Sequence, residues 1–271
     1  MSIKTILLHM ANDGQYGARI AVAADLAKRF SAFVEALYVA TPVGMPAAVT
    51  GRGASYAYIA EATAIAHEKA EKVEREVRKV LQDCPHSWTV VDGDHVELLA
   101  ARAAFADLAI VSQPRSRTLD DEVPLHAPDR LPLETCCPTL VLPHDYGVGL
   151  SLGRHVLVAW KNTREAGRAL RNAMPFLQGA ERVSLLTPPE ENEAARNLMT
   201  YLERHGIRPE PAIAPNQAGD VGETILACAR DVGADLLVMG AYGHSRLREM
   251  VLGGATRSVL ENLHLPALLS H

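Results

Sequence analysis

The sequence predicts an α/β protein of two tandem domains, each a five-stranded parallel sheet covered by helices on both faces. Three observations predict it. Short apolar runs bounded by turn formers alternate with longer amphipathic stretches, the pattern of strands and helices in a parallel sheet. The pattern runs through the chain twice, with matching residues in the two copies. At 271 residues the chain has the length of one large domain or two ordinary ones.

The first half opens on a strand over 4–10, which leads straight into an amphipathic helix over 15–30. A strand over 33–40 follows. Residues 41–56 then hold Pro42, Gly44, Pro46, Gly51 and Gly53 and read as a surface excursion, with a lid over a neighbouring site as the alternative. The helix over 58–83 is marked by Val73, Val77, Val80 and Leu81 at helical spacing. Glu71/Arg75 and Glu74/Arg78 form i,i+4 pairs on its solvent side. A strand over 87–91, a helix over 94–105, a strand over 107–111, a helix over 127–135 and a strand over 138–142 complete the half. Pro143 to Gly149 is rich in turn formers and reads as a linker, giving domains over 1–146 and 152–271.

The second half repeats the order. It reads strand 155–160, helix 163–178 with Thr163 as N-cap, strand 182–186, helix 190–205, strand 208–213, helix 220–232, strand 235–239, helix 254–263 and strand 265–269. Ala106-Asp107-Leu108-Ala109-Ile110-Val111-Ser112 matches Ala234-Asp235-Leu236-Leu237-Val238-Met239-Gly240, 128 positions later. The same offset carries Ala101-Arg102 onto Ala229-Arg230 and Pro138 onto Pro266. The chain reads as a tandem duplication. The closing strands, Thr139–Leu142 and Ala267–Leu269, are apolar edges that are expected to pair as an intrachain pseudo-dimer.

Composition excludes several classes of partner. A formal net charge of -5 and the lack of a basic cluster argue against nucleic acid. No apolar run approaches the ~20 residues that span a bilayer, and the apolar part of residues 1–10 is too short for a signal peptide. Cys84, Cys136, Cys137 and Cys228 show no C-x-x-C spacing and are expected to be reduced, mostly core thiols of a cytoplasmic protein. Cys136-Cys137 as a redox pair is the minor alternative, because vicinal disulfides are strained.

The richest chemistry lies at the end of the strand over 235–239. Gly240 and Gly243 stand where it passes into a loop, and Gly253-Gly254 where the next helix begins. Glycines there let backbone N–H groups approach a ligand, and a helix N-terminus favours an anion. The loop also carries His244, Ser245, Arg246 and Arg248. In an α/β sheet this is the ligand end, beyond the carboxyl ends of the strands. The arrangement suggests a phosphate cradle.

Gly240-x2-Gly243-x9-Gly253 after a strand ending Ala-Asp-Leu-Leu-Val-Met resembles the nucleotide-binding signature of the universal stress protein family, and the whole chain resembles its tandem members. The resemblance implies Rossmann-like domains of the adenine nucleotide alpha hydrolase-like kind, with ATP, accompanied by Mg, bound in the second. It implies Met239 and Gly240 facing the nucleoside, Gly243, Gly253 and Gly254 on the phosphates, and Ala255 and Thr256 completing the first helical turn. His244 and Arg246 join them from the loop, with Ala159 and Lys161 at the end of the first strand. It also implies a stress-response role and a dimer.

Two departures stand out. Gly254 replaces the usual Ser or Thr, removing a hydroxyl worth about 1 kcal/mol, and Lys161 stands where members carry an Asp, although a lysine accepts no hydrogen bond. In the first half Ser112, Arg115, Leu125 and His126 replace the signature, so that half is expected to be degenerate, with no nucleotide.

Other chemistries fare poorly. There is no P-loop, dinucleotide fingerprint or G-x-S-x-G elbow. His67-Glu68 lacks the second histidine of a zinc-protease helix and reads as an exposed face; His155 and His264 read as structural. Asp107 and Asp235 read as turn caps rather than metal ligands. His244 beside Ser245 has no orienting acid. No catalytic or metal-ligating residue is assigned. Three readings stand: a nucleotide-binding sensor or regulatory module, a stress protein acting through protein contacts without nucleotide, and a slow nucleotide hydrolase.

Overall fold

The structure, a computed structural model, describes residues 2–11, 13–41, 44–45, 52–113, 123–124, 127–215, 220–243 and 254–271. Two compact units emerge: an N-terminal one of Ser2–Cys137 with Gly147–Gly149, and a C-terminal one of Pro138–Tyr146 with Leu150–His271.

The N-terminal unit runs β1 (Thr5–Ala11), α1 (Tyr16–Phe30), β2 (Phe33–Val39), β3 (Gly44–Met45), α2 (Arg52–Val80), β4 (His86–Val91), α3 (His95–Ala103), β5 (Leu108–Ser112), β6 (Val123–Pro124) and α4 (Ala127–Glu134). Its main sheet has the order β5-β1-β2-β4 and is parallel throughout. Ile6, Leu7, Leu8 and Met10 of β1 are wholly buried, as a strand covered on both faces requires. The short β3 and β6 pair antiparallel and were not foreseen. Helix α2 starts at Arg52, inside the stretch read as an excursion. Its Val73, Val77 and Leu81 are buried, but Val80 is exposed. Arg78 donates to Glu74 as expected, at 2.9 and 2.6 Å.

The C-terminal unit contains β7 (Thr139–Leu142), β8 (His155–Ala159), α5 (Arg164–Gly179), β9 (Arg182–Leu186), a 3-10 turn (Pro189–Glu191), α6 (Asn192–Arg204), β10 (Glu210–Pro211), α7 (Val221–Val232), β11 (Leu236–Gly240), α8 (Gly254–Glu261) and β12 (Ala267–Ser270). Its strand order is β10-β9-β8-β11-β12-β7.

The α/β architecture is as expected, but two clean five-stranded parallel sheets are not resolved, because β7 groups with the C-terminal unit. The last strand of the first half, β7, runs antiparallel to β12, the pairing expected of the two closing strands, with Ala267 opposite Val141, Leu268 opposite Leu140 and Leu269 opposite Thr139. The reason is burial: every residue of both strands is buried, and an apolar edge with open N–H and C=O groups must find a partner. The strand expected over 208–213 shrinks to Glu210–Pro211. Pro209 and Pro211 lack the N–H that a longer ladder needs, which confines this segment to the edge.

One device recurs in both halves. The Asp107 carboxylate accepts from the backbone N–H groups of Lys4 and Thr5 at 2.8 and 3.0 Å. Asp235 accepts from Gly153, Arg154 and His155 at 3.0, 3.1 and 2.9 Å. Each aspartate thus ties the entry of the first strand of its half to the strand it precedes, a wider reach than a turn cap.

The N-terminal unit also buries a polar cluster at the carboxyl end of β1. His95 Nε2 lies 2.7 Å from the Thr41 carbonyl, so in the neutral ring it is the donor and Nδ1 the acceptor. That nitrogen takes the Nε2–H of His9 at 2.8 Å. Beside them the fully buried Arg19 donates to both carboxylate oxygens of Asp13, at 2.9 and 2.8 Å. Burial first, then His95 and Arg19, hold His9 well below the ordinary histidine range. Burial likewise lowers His95 against the opposing pull of Thr41, Asp94 and Asp13.

Because both rings are neutral when folded and titrate near about 6.5 when unfolded, the unfolded chain binds more protons below that pH. Stability is therefore expected to be flat in these groups above about pH 7 and to fall as pH drops through 6.5, by up to about 1.4 kcal/mol per pH unit per histidine. Urea unfolding at pH 7.5 and 5.5 checks this; equal midpoints in wild type and in His95→Asn would overturn it.

All four cysteines are free. Cys84, Cys137 and Cys228 are buried and Cys136 is exposed. Burial pushes the Cys137 thiol up to about 12, so it is a poor nucleophile beside its exposed neighbour. Among the described residues no helix is long and apolar enough to cross a membrane.

Candidate functional site

In the C-terminal unit β8 passes through α5 to β9 on one side, while β11 passes through α8 to β12 on the other. The order reverses between β8 and β11, and the crevice beyond their carboxyl ends is the ligand position of such sheets. The register sets Ala159 directly beside Met239 at its floor. Ala159 is half-buried and Met239 buried.

Gly240 has a packing reason of its own. A Cβ there would lie 2.6 Å from the backbone N of Ala166 and 2.8 Å from the carbonyl carbon of Glu165. The first turn of α5 sits on this glycine, and only the missing side chain admits it. Thr163 caps that turn, accepting from the Ala166 N–H at 3.3 Å. Gly243 is looser. Its Cβ position is 3.4 Å from Glu165 Oε2 and 3.7 Å from Thr163 Oγ1, ordinary contacts.

Glu165 is the residue that sequence reasoning missed. Its side chain is buried against the glycine loop and ion-paired to Arg164 at 2.9 Å. Burial raises its carboxyl, but its own backbone N–H, then Arg164 and His271, outweigh that and hold it below the usual range. It is an ionised carboxylate beside Gly243. The available signal was an acid in the first turn after the Thr163 cap, a position favoured by the helix dipole alone.

The third wall is the start of α8. Gly254 is exposed, with no atom of the described residues near its Cβ position, and Ala255 is half-buried. Thr256 is buried, and its hydroxyl accepts the Tyr242 N–H at 3.1 Å, holding the strand exit where Tyr242 has φ 57°. Its oxygen thus latches the loop. Helix α8 is positioned by α7: Ser258 donates to Asp220 at 2.9 Å, and a Cβ on Gly222 would strike Ala255 O and Ser258 Cβ at 2.7 Å. Asp220 and Glu223 form a capping box on α7.

Lys161 is exposed at the exit of β8, with Asn162 beside it bonding Glu191 through its backbone N–H at 2.6 Å. The structure therefore brings Ala159, Met239, Gly240, Gly243 and the Gly254–Thr256 turn to one end of the sheet, with Lys161 on the same side. His244, Arg246 and Gly253 lie outside the described residues, as do Arg115, Leu125 and His126 of the first half. Among the described residues no three His, Cys, Asp or Glu side chains are grouped to hold a metal ion. His67 pairs with Asp92 at 2.6 Å and His155 with Ser184 at 2.8 Å, so both are engaged outside the crevice.

Fold and crevice define a doubly wound α/β protein with its ligand end at a glycine loop. Residues 178–271 match the model described as the universal stress protein family. A universal stress protein of Synechocystis is 37% identical over 82 residues, 29% of this chain and 28% of that protein. A universal stress protein of Methanocaldococcus jannaschii is 30% identical over 80 residues, 30% of this chain and 48% of that protein. The match thus spans between about a quarter and a half of these relatives' length. Among solved structures, a universal stress protein from Archaeoglobus fulgidus superposes with a TM-score of 0.74 at 19% identity, covering 99% of this chain and 96% of that one. A Pseudomonas aeruginosa protein of unknown function gives 0.63 at 18% identity, covering 99% and 92%. The chain has the fold of the universal stress proteins.

Proposed function

We propose that the C-terminal unit binds an adenine nucleotide, ATP with Mg2+, and that the chain works as a stress-response sensor or regulatory module rather than as an enzyme. One observation carries this reading. Gly243 and the N-terminal turn of α8 converge at the switch point, and among the described residues no side chain fills the space around Gly254. Backbone N–H groups at a helix start suit phosphates. Ala159 and Met239 offer an apolar floor for the base, and Lys161, His244 and Arg246 supply cations for the phosphates.

Glu165 fits the same reading. Mg2+ is commonly held by one or two carboxylates together with substrate phosphates, and Glu165 places one such carboxylate beside Gly243. In the N-terminal unit His9 and Arg19 are buried at the corresponding end of β1, which supports one nucleotide per chain rather than two.

A second reading, a stress protein acting through protein contacts without nucleotide, draws on Lys161 in place of an acceptor and on the Thr256 hydroxyl already bonded to Tyr242. Thermal unfolding with ATP separates the two. A ligand at 100 times its Kd stabilises by about 2.7 kcal/mol. Wild type is expected to melt higher with MgATP and Gly243→Asp to show no such rise, because the added carboxylate faces both Glu165 and the phosphates. Glu165→Gln is expected to bring ATP and MgATP to equal affinity. No rise in wild type overturns nucleotide binding, and two nucleotides per chain overturn the assignment to one unit.

A further inference from the structure

A cavity in the C-terminal unit is lined, among the described residues, by none of the glycine loop. It measures about 270 Å³ and is lined by Trp160 and Asn162 after β8, Gly167, Leu170 and Arg171 of α5, and α6 from Ala194 to Tyr201. Whereas Thr163 and Glu165 face the glycine loop, Gly167 and Arg171 sit one and two turns further along α5.

Three features mark it as a built site. Gly167 lies inside a helix, where glycine is less favourable than alanine, yet among the described residues no atom beyond its own helix backbone and chain neighbours comes within 4 Å of its Cβ position. Packing does not demand this glycine; its effect is to keep the groove open. The walls combine two aromatic residues, Trp160 and Tyr201, with the apolar Leu170 and Leu198. Finally, Arg171, Asn162 and Asn197 are exposed at the mouth of the groove, and among the described residues the guanidinium and both side-chain amides have no hydrogen-bond or ion-pair partner that would compete with a ligand.

These features select a ligand chemistry. The volume falls just below the range of about 300–1,000 Å³ usual for small-molecule sites, so it suits one or two rings rather than a whole nucleotide. Aromatic walls suit a planar ring. Among the described residues of the lining Arg171 is the one that is charged, and its planar fork matches a carboxylate. The asparagines can accept or donate to a ring substituent. We infer that the groove between α5 and α6 binds a small planar aromatic carboxylate, independently of the glycine-loop crevice.

The test uses the full chain with Trp88→Phe, which leaves Trp160 as the single indole. Benzoate and 4-hydroxybenzoate are titrated against its emission, and calorimetry on wild type supplies the same constant without the background change. Saturable binding is expected, at least tenfold weaker for benzamide and cyclohexanecarboxylate. Arg171→Gln is expected to weaken benzoate at least tenfold. Gly167→Leu should abolish binding without lowering the melting temperature, since leucine favours the helix and fills open space. Saturating MgATP should leave the constant unchanged. The inference is overturned by no saturable binding in either assay, by equal binding in Arg171→Gln and Gly167→Leu, or by displacement with MgATP, which would make the groove part of the nucleotide site. Failure of MgATP itself to bind bears only on the crevice.

Discussion

Asp13→Ala is expected to destabilise the protein by about 3–5 kcal/mol, the usual effect of removing one partner from a buried ion pair. Arg19 is 1% exposed, and both acceptors of its charged group, at 2.9 and 2.8 Å, are Asp13 oxygens. Its Nε already lacks a partner among the described residues, so losing Asp13 leaves the buried guanidinium with none of its present acceptors. The same carboxylate accepts the Gln15 N–H at 2.9 Å just before α1, which adds a local loss. Replacing both partners, as Asp13→Ala with Arg19→Met, should recover much of the stability, because apolar residues of similar size often substitute for a buried pair without penalty. Urea unfolding at pH 7.5 decides it. A single-variant loss below about 1 kcal/mol would mean that Arg19 finds another partner and that the pair is not the anchor of this cluster.

The second large effect is expected at Gly240. An added methyl would sit 2.6 Å from a backbone nitrogen and 2.8 Å from a backbone carbon of α5. Neither can swing aside as a side chain would, so the helix itself must shift. Helix α5 buries Ala166, Ala169, Leu170, Ala173, Met174, Phe176 and Leu177, and moving it loosens all of them. Overpacking typically destabilises by about 1–3 kcal/mol, and a backbone clash belongs at the upper end. Gly240→Ala should therefore lower stability by about 2–3 kcal/mol in the absence of nucleotide, whereas Gly243→Ala, with ordinary contacts at 3.4 Å, should shift it by less than about 1 kcal/mol. Equal effects at the two glycines would show that the α5 contact is not what Gly240 serves.

The contrast between Gly240 and Gly243 shows where sequence reading stops. Both stand in one spaced motif, and the motif alone gives both the same kind of task. In the structure one is set by a helix packing onto it and the other stands open beside a carboxylate. Ser112, the counterpart of Gly240 in the first half, carries the side chain that Gly240 cannot. With Thr5 of β1 set against His155 of β8, α1 begins two positions later than α5. Glu165 tells the same story. Its place after a Thr cap is legible, but its proximity to a loop about eighty residues away is not.

By itself the sequence determined the alternation of strands and helices, the Thr163 cap and the place of Gly240 at the carboxyl end of its strand. Each rests on local information: periodicity, turn residues and short spacings that the chain carries wherever it folds. Only the tertiary structure decided that the 208–213 segment keeps two strand residues, that Glu165 faces Gly243, and that His9, His95, Arg19 and Asp13 form one buried cluster. Those outcomes depend on which surfaces meet across long separations in the chain, where burial must be matched and each polar group partnered, and no local pattern encodes the meeting.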